Sequence, residues 1–272
     1  MADADKPLAG KRIVITRAAE QAPTFFRALN EKGADVTVLP CIDFVPPEDW
    51  SALDSAFSRL TQFDWIAFTS QNAVRFFSQR ARELNLAPLD LRAAGPKIAA
   101  LGAATAEVAR KEGLPPDFDA TPARSGSEFV AAFAPLARGT NILLPTSDQA
   151  GDRIAEALRA VAGNITSVVA YRTCMPESLD GDALGRIRRE GADLIFFGSP
   201  SAFRNFVEMV GKDTLDCLMK SSGFGAIGPT TARAIRDAGV QVNFEAPQPN
   251  TDDVIQAMTR YFALGNREKA RR

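Results

Sequence analysis

The feature that most constrains this chain is that it repeats itself once. Residues 64–77, DWIAFTSQNAVRFF, align without a gap on residues 193–206, DLIFFGSPSAFRNF. Asp64, Ile66, Phe68, Ser70, Ala73, Arg75 and Phe77 meet the same residue types at Asp193, Ile195, Phe197, Ser199, Ala202, Arg204 and Phe206. Residues 98–114, IAALGAATAEVARKEGL, echo residues 224–240, FGAIGPTTARAIRDAGV, pairing Gly102 with Gly228, Thr105 with Thr231 and Gly113 with Gly239. Shorter echoes join RIVITR at 12–17 to NILLPT at 141–146, and GSEFV at 126–130 to TDDVI at 251–255. The period far exceeds the ~20–45 residues of a stacked repeat array. The chain is a duplicated domain.

Each copy alternates strand and helix signals. Ile13, Val14 and Ile15 form a continuous β-branched run, as a buried strand requires. Phe25, Phe26 and Leu29 then follow a helical period that Gly33 ends, and Val36 to Leu39 is a second strand ended by Pro40. This βαβ unit is the building block of a parallel sheet. Further buried strands are expected at 63–69, 97–101, 140–145, 166–171, 193–197, 224–227 and 241–245. The 224–240 stretch shows the local design: Gly228 and Pro229 turn the chain, Thr230 or Thr231 caps the next helix, and Gly239 stops it. The whole pattern predicts an α/β fold of two similar doubly wound parallel-sheet domains. The length of 272 residues is sufficient for two domains of ~100–150 residues. A linear split near residue 137 would follow the repeat. The proline breaks at 40–47 and 176 suggest instead that the chain leaves one domain and returns to it. The residues alone leave both open.

In an open α/β sheet, ligands bind beyond the carboxyl ends of the strands. The polar residues expected there are Arg17, Ser70, Asn72, Thr105, Ser147, Ser199, Ser201, Thr230 and Thr231. A helix start offers free N–H groups and the positive end of a dipole, about 0.3–1 kcal/mol for an anion. Taken singly, a Ser or Thr there is most often only a cap. Taken together, hydroxyls at equivalent points of two copies suit a ligand carrying several carboxylates or phosphates.

The residue inventory excludes a good deal. There is no histidine, so no His-based triad, His-ligated metal or imidazole shuttle can form. There is no GxGxxG after a strand and no Walker-type phosphate loop. The net charge of −1 argues against a nucleic-acid partner held by bulk phosphate attraction. Cys41, Cys174 and Cys217 make no CxxC pattern and suit a reducing, cytoplasmic setting. The opening MADADKPLAGKR lacks the apolar core of a signal peptide, and no apolar run approaches the ~20 residues that span a bilayer. Asp64 and Asp193 precede strands and are expected to be exposed rather than a catalytic pair. Of two tyrosines, Tyr171 ends an apolar strand, SVVAYRT, where a phenol could donate a proton or serve as a packed hinge residue.

An ordered set of segments resembles the uroporphyrinogen-III synthase family: ITR at 15–17, LP at 39–40, FTSQNAV at 68–74, LGAATA at 101–106, YRT at 171–173, FGSPSA at 197–202 and AIGPTTARA at 226–234. The resemblance implies two α/β domains joined by a two-stranded connector, with the chain crossing out and back. Residues 1–40 and 171–272 would form one domain, and 41–170 the other. The implied activity is that of a lyase that cyclises the linear tetrapyrrole hydroxymethylbilane to uroporphyrinogen III, losing water and inverting ring D. The resemblance implies neither metal nor organic cofactor, and no nucleic-acid or membrane partner. A monomer is expected, with transient contact to the preceding pathway enzyme. The family's tyrosine falls on Tyr171, as proton donor, and its cleft hydroxyls on Ser70, Thr105, Ser199 and Thr231. Asn72 and Gly223 stand where some members carry basic residues. Two other readings remain: a non-catalytic two-domain sensor of a polyanion, and a sugar-phosphate or nucleotide enzyme.

Overall fold

The structure is a computed structural model that describes residues 6–18, 22–93, 95–121, 123, 126–149, 153–178 and 180–269. The chain runs β1 (Arg12–Ile15), α1 (Ala22–Glu31), β2 (Asp35–Val38), β3 (Asp43–Val45), α2 (Ser51–Phe57), β4 (Trp65–Phe68), α3 (Gln71–Glu83), α4 (Pro88–Ala93), β5 (Lys97–Ala100), α5 (Gly102–Lys111) and β6 (Phe118–Asp119). It continues through α6 (Gly126–Ala137), β7 (Asn141–Ser147), α7 (Arg153–Arg159), β8 (Asn164–Cys174), α8 (Gly181–Glu190), β9 (Leu194–Phe197), α9 (Pro200–Val210), α10 (Lys212–Ser221), β10 (Gly223–Ala226), α11 (Pro229–Asp237), β11 (Phe244–Glu245) and α12 (Thr251–Lys269).

Contacts divide the chain into two compact units. One comprises Met1–Asp43 with Cys174–Arg272, and the other Phe44–Thr173. The chain changes unit within β3 and at the end of β8, and these two strands are neighbours in one sheet. The crossing points lie a few residues beyond the expected 40/41 and 170/171, so Tyr171 belongs to the second unit.

The first unit holds a sheet of order β11-β10-β9-β1-β2, with all four neighbouring pairs parallel. The second holds β3-β8-β7-β4-β5-β6. Apart from β3, the two orders correspond strand for strand: β1 and β2 match β7 and β8, while β9, β10 and β11 match β4, β5 and β6. The registers agree as well, with Arg12 opposite Asp35 and Asn141 opposite Asn164. The sequence repeat is linear, yet each sheet takes strands from both copies. The β1–α1–β2 arm of the first copy completes the sheet of the second, and the β7–α7–β8 arm of the second completes the sheet of the first.

Both faces of each sheet are covered, which is why the strands read as unbroken apolar runs. Ile66 and Phe68 of β4 pack with Val74 and Phe77 of α3, while Trp65 and Ala67 pack on the opposite face with Phe129 and Phe133 of α6. In the first unit, Ile13, Ile15 and Phe196 meet Phe25 and Leu29 of α1 with Val254 and Met258 of α12. Phe197 points the other way, 5.2 Å from Phe203 and 5.3 Å from Phe206 between ring centroids. Burial of each such Phe contributes about 1.5–3 kcal/mol.

Asp64 and Asp193 are structural. Asp193 accepts the Arg12 backbone N–H at 2.8 Å and pairs with its guanidinium at 3.0 Å, and Asp64 accepts the equivalent Asn141 N–H at 2.8 Å. Each carboxylate ties the amino-terminal ends of the two central strands of its sheet. Among the described residues, no helix is long and apolar enough to cross a membrane.

Candidate active site

The strand order reverses between β1 and β9 in the first unit and between β4 and β7 in the second. Both junctions are topological switch points, where open α/β sheets leave a crevice.

In the second unit Tyr171 of β8 is buried beside the start of α3. Its ring stacks on Phe76 of α3 at 5.6 Å and meets Phe44 of β3 edge-on at 5.8 Å. Its hydroxyl lies 3.1 Å from Ser70 Oγ. Ser70 is the N-cap of α3, its backbone extended at φ −150° and its oxygen accepting the Ala73 N–H at 3.0 Å. The phenol is therefore fastened to the start of a helix rather than free to sample rotamers.

A register shift between Thr146 and Ser147 brings Ser147 opposite Tyr171. That bulge explains why Ala170 and Tyr171, adjacent in one strand, are both buried. Ser147 Oγ donates to Asp148 Oδ1 at 3.0 Å and accepts the Gln149 N–H at 3.1 Å. Asp148 in turn straps β8: its N–H donates to the Tyr171 carbonyl at 3.1 Å, and its carboxylate accepts the Thr173 N–H at 3.0 Å. Burial pushes the Tyr171 phenol above its ordinary value. The Ser70 hydrogen bond pulls it down, the Asp148 charge pushes it further up, and the Ser147 hydroxyl lowers it. The net effect is a phenol held above its ordinary value.

In the first unit the switch point opens a cavity of about 210 Å³, lined by Thr16, Arg17, Ile42, Gly198, Ala202 and Ile227 among others. Arg17 follows the end of β1, with its guanidinium carbon 4.8 Å from the centre of the Phe25 ring. Among the described residues no carboxylate pairs with it, and burial pulls its pKa below the ordinary value. Ser199 caps α9 as Ser70 caps α3, extended at φ −162° and accepting the Ala202 N–H at 3.0 Å. Ser201 and Asn72, the equivalent second residues of these helices, accept from Arg204 at 3.2 Å and Arg75 at 3.3 Å.

The remaining predicted residues are placed differently from the expectation. Neither Thr230 nor Thr231 caps α11. The cap is Gly228, and Pro229 takes the first helical position because its fixed φ suits it there. Thr230 is exposed, and Thr231 is buried inside the first turn. Thr105 is likewise buried, three residues into a helix whose cap is Leu101. Ser147 ends a strand rather than starting a helix. The structure thus gathers Ser70, Ser147 and Tyr171 into one cluster and sets Arg17 beside Gly198 and the Ser199 cap. Gly223 opens β10, the end remote from the strand carboxyl ends, and a Cβ there would meet the Tyr261 hydroxyl.

Phe44, Phe76 and Asp148 stand beside Tyr171 without any sequence motif marking them. A signal was present for one of them, since Phe76 is a place where the two copies differ, its counterpart being Asn205.

The family described as uroporphyrinogen-III synthase HemD matches residues 8–256. The chain belongs to the uroporphyrinogen-III synthase family. It is similar to a uroporphyrinogen-III synthase of Synechococcus elongatus, 30% identical over 267 residues, covering 95% of this chain and 98% of the relative. A uroporphyrinogen-III synthase of Chlorobaculum parvum is 29% identical, covering 86% of this chain and 92% of that one. In fold it resembles the uroporphyrinogen-III synthetase of Helicobacter pylori, with TM-score 0.62 at 16% identity over 90% of this chain and 97% of the other. It also resembles a substituted form of the Thermus thermophilus uroporphyrinogen III synthase, with TM-score 0.59 at 18% identity over 93% and 99%. In this member of the uroporphyrinogen-III synthase family, Ser70 with the Tyr171 hydroxyl stands at the end of β4, and Arg17 stands at the equivalent place after β1.

Proposed function

We propose that this chain acts as a lyase of tetrapyrrole biosynthesis, cyclising hydroxymethylbilane to uroporphyrinogen III with loss of water and inversion of ring D. The observation that carries the reading is the Tyr171–Ser70 hydroxyl pair at the β4/β7 switch point, in a chain with no histidine. Tyr171 gives its proton to the leaving hydroxyl of the substrate. The pyrrole nitrogen's electron pair expels water and leaves an azafulvene. The substituted carbon of ring D attacks it to give a spiro intermediate, which fragments and recloses with the ring turned over. The proton lost from carbon as aromaticity returns restores the phenol, so no proton is consumed.

The free substrate closes unaided to the uninverted isomer, so the protein's main task is to hold a flexible polyanion in one geometry. Ser70, Asn72, Thr105, Ser147, Ser199, Ser201, Thr230 and Thr231, with Arg17, form the proposed binding set for its carboxylates. The helix-start N–H groups beside Ser70 and Ser199 suit anions without histidine. The absence of any CxxC pattern among Cys41, Cys174 and Cys217 supports a cytoplasmic setting, and a monomer taking its substrate from the preceding enzyme fits the reactivity of that substrate. The test is to add hydroxymethylbilane and separate the product isomers. Type III in excess over the uncatalysed reaction supports the proposal, and type I alone overturns it in favour of a non-catalytic binder.

A further inference from the structure

At the amino-terminal edges of the two sheets the duplicated fold repeats one arrangement and then departs from it. In the second unit Asp117 leads into β6. Its N–H donates to the Ile98 carbonyl at 2.8 Å, and its carboxylate accepts the Ile98 N–H at 2.8 Å. In the first unit Asn243 leads into β11 and makes the same two bonds with Phe224, each at 2.8 Å. The registers agree, with Ala99 opposite Phe118 and Gly225 opposite Phe244. In the second unit the Arg92 guanidinium lies fork to fork on the Asp117 carboxylate, with Nη2 3.0 Å from Oδ1. Pro88 packs so closely on Gly113 that a Cβ there would stand 2.9 Å from it. In the first unit the repeat puts buried Leu218 where Arg92 stands, and an amide where the carboxylate stands. A Cβ at Gly239, the counterpart of Gly113, would meet nothing within 4 Å. The place that α4 and its arginine fill in one unit is thus an open recess of about 450 Å³ in the other, lined by Met219, Lys220, Phe224, Val240, Asn243 and Tyr261 among others.

We infer that this recess is a second binding site, separate from the proposed substrate set, that takes an adenine-type base presented as a nucleotide. Asn243 selects the edge. Its Oδ1 keeps a second lone pair beyond the Phe224 N–H, and among the described residues its Nδ2 has no hydrogen-bond partner. An amide offers an acceptor beside a donor, so its ligand must offer a donor beside an acceptor. A guanidinium, which only donates, suits Asp117 and not Asn243. The amino group and ring nitrogen of adenine make the bidentate pair that asparagine forms with that base. The end of α10 supplies further acceptors. The Gly223 N–H goes to the Asp193 carbonyl at 3.0 Å and the Phe224 N–H to Asn243, so neither continues the helix onto the Met219 and Lys220 carbonyls. The Met219 side chain is exposed, and a thioether packs well on an aromatic ring. Lys220 has no ion-pair partner among the described residues and suits a phosphate. The Tyr261 hydroxyl lies against Gly223, where a Cβ would displace it. The volume falls within the ~300–1,000 Å³ of small-molecule sites.

The test titrates adenosine 5′-monophosphate, adenosine, ribose 5-phosphate and methylguanidinium into the full chain. Affinity is read by calorimetry, and the place of binding by the NMR shifts of the Phe224 and Val240 amides. Adenosine 5′-monophosphate is expected to bind saturably and to move both amides, adenosine to bind less tightly, and ribose 5-phosphate not to bind. Lys220→Ala should bring the nucleotide down to the affinity of adenosine. Asn243→Asp keeps the acceptor that the Phe224 N–H needs, as Asp117 does in the second unit, so it should fold with a thermal midpoint close to the parent's. It should weaken adenosine roughly 10-fold, as loss of a hydrogen bond does, and gain binding of methylguanidinium. Should Asn243→Asp lower the midpoint, Lys220→Ala and the amide shifts of the parent decide the matter. The inference is overturned by the absence of saturable nucleotide binding, by ribose 5-phosphate binding as tightly as the nucleotide, or by adenosine binding unchanged in a folded Asn243→Asp. Without nucleotide, both variants should form the type III isomer at the parent's rate. A loss there would assign the recess to the substrate and overturn its separateness.

Discussion

The hydroxyl oxygens of Tyr171 and Ser70 stand 3.1 Å apart, although one residue lies within a strand and the other caps a helix 101 residues earlier. Ser70 holds the phenol in place and at the same time caps α3. Removing the phenol oxygen should leave the packed ring untouched between Phe44 and Phe76. Tyr171→Phe is therefore expected to fold normally and to form the type III isomer about 10²–10⁴ times more slowly, the usual contribution of a positioned acid. Initial rates with isomer separation would check this, and full activity would remove Tyr171 from the chemistry.

Ser70 and Ser199 allow the cap to be separated from the contact with Tyr171. Each accepts the N–H three residues on at 3.0 Å, but only Ser70 touches a tyrosine. Ser70→Ala and Ser199→Ala should each lower stability by about 1 kcal/mol. Only Ser70→Ala should also slow the step that Tyr171 serves. Denaturant midpoints and kcat, compared between the two variants, give the answer.

Tyr171 acts as a proton donor only while protonated, so activity should fall as pH rises through its pKa. Burial and the Asp148 charge both raise that pKa, placing the alkaline limb above the ordinary tyrosine range. Replacing Asp148 by Asn removes a negative charge that favours the protonated phenol. The limb of the kcat profile should then move to lower pH. A limb that does not move would show that Asp148 serves the β8 backbone alone.

Asp193 ties β1 to β9 through the Arg12 backbone and side chain, and hydrogen bonds from Arg12 hold its carboxyl below the ordinary value despite partial burial. A carboxylate whose folded pKa is depressed contributes its stability above the unfolded pKa of about 3.9 and loses it as pH falls through the folded value. Asp193→Asn should thus lower the thermal midpoint at neutral pH, by the equivalent of about 1–2 kcal/mol. The gap from the parent should narrow below pH ~4. A gap independent of pH would assign the effect to shape rather than charge.

Much of this was legible beforehand because the repeat and the apolar strand runs are local signals. The β/α alternation and the capping serines at 70 and 199 follow from periodicity and from hydroxyls placed at strand-to-helix junctions. The caps at Thr230 and Thr231 were misplaced because Pro229 starts the helix earlier, on Gly228, so that the threonines fall inside it. Short elements such as β3 and α4 carry too few residues for a period to show. The aromatic walls around Tyr171 were hidden for another reason. Phe44 and Phe76 reach it through the pairing of β3 beside β8 and the packing of α3, which no neighbouring residues encode.

The exchange of arms between the copies sets a timetable for synthesis. Residues 44–173 can assemble their whole sheet as soon as β8 has emerged, but β1 and β2, made first, must wait for β9 before they have a central partner. An apolar strand pair held waiting through half of translation is exposed to mispairing and to chaperones. Cutting the gene at the midpoint of the repeat would give two fragments, each with half of two sheets and neither with a complete core. Two such halves should become folded only when mixed.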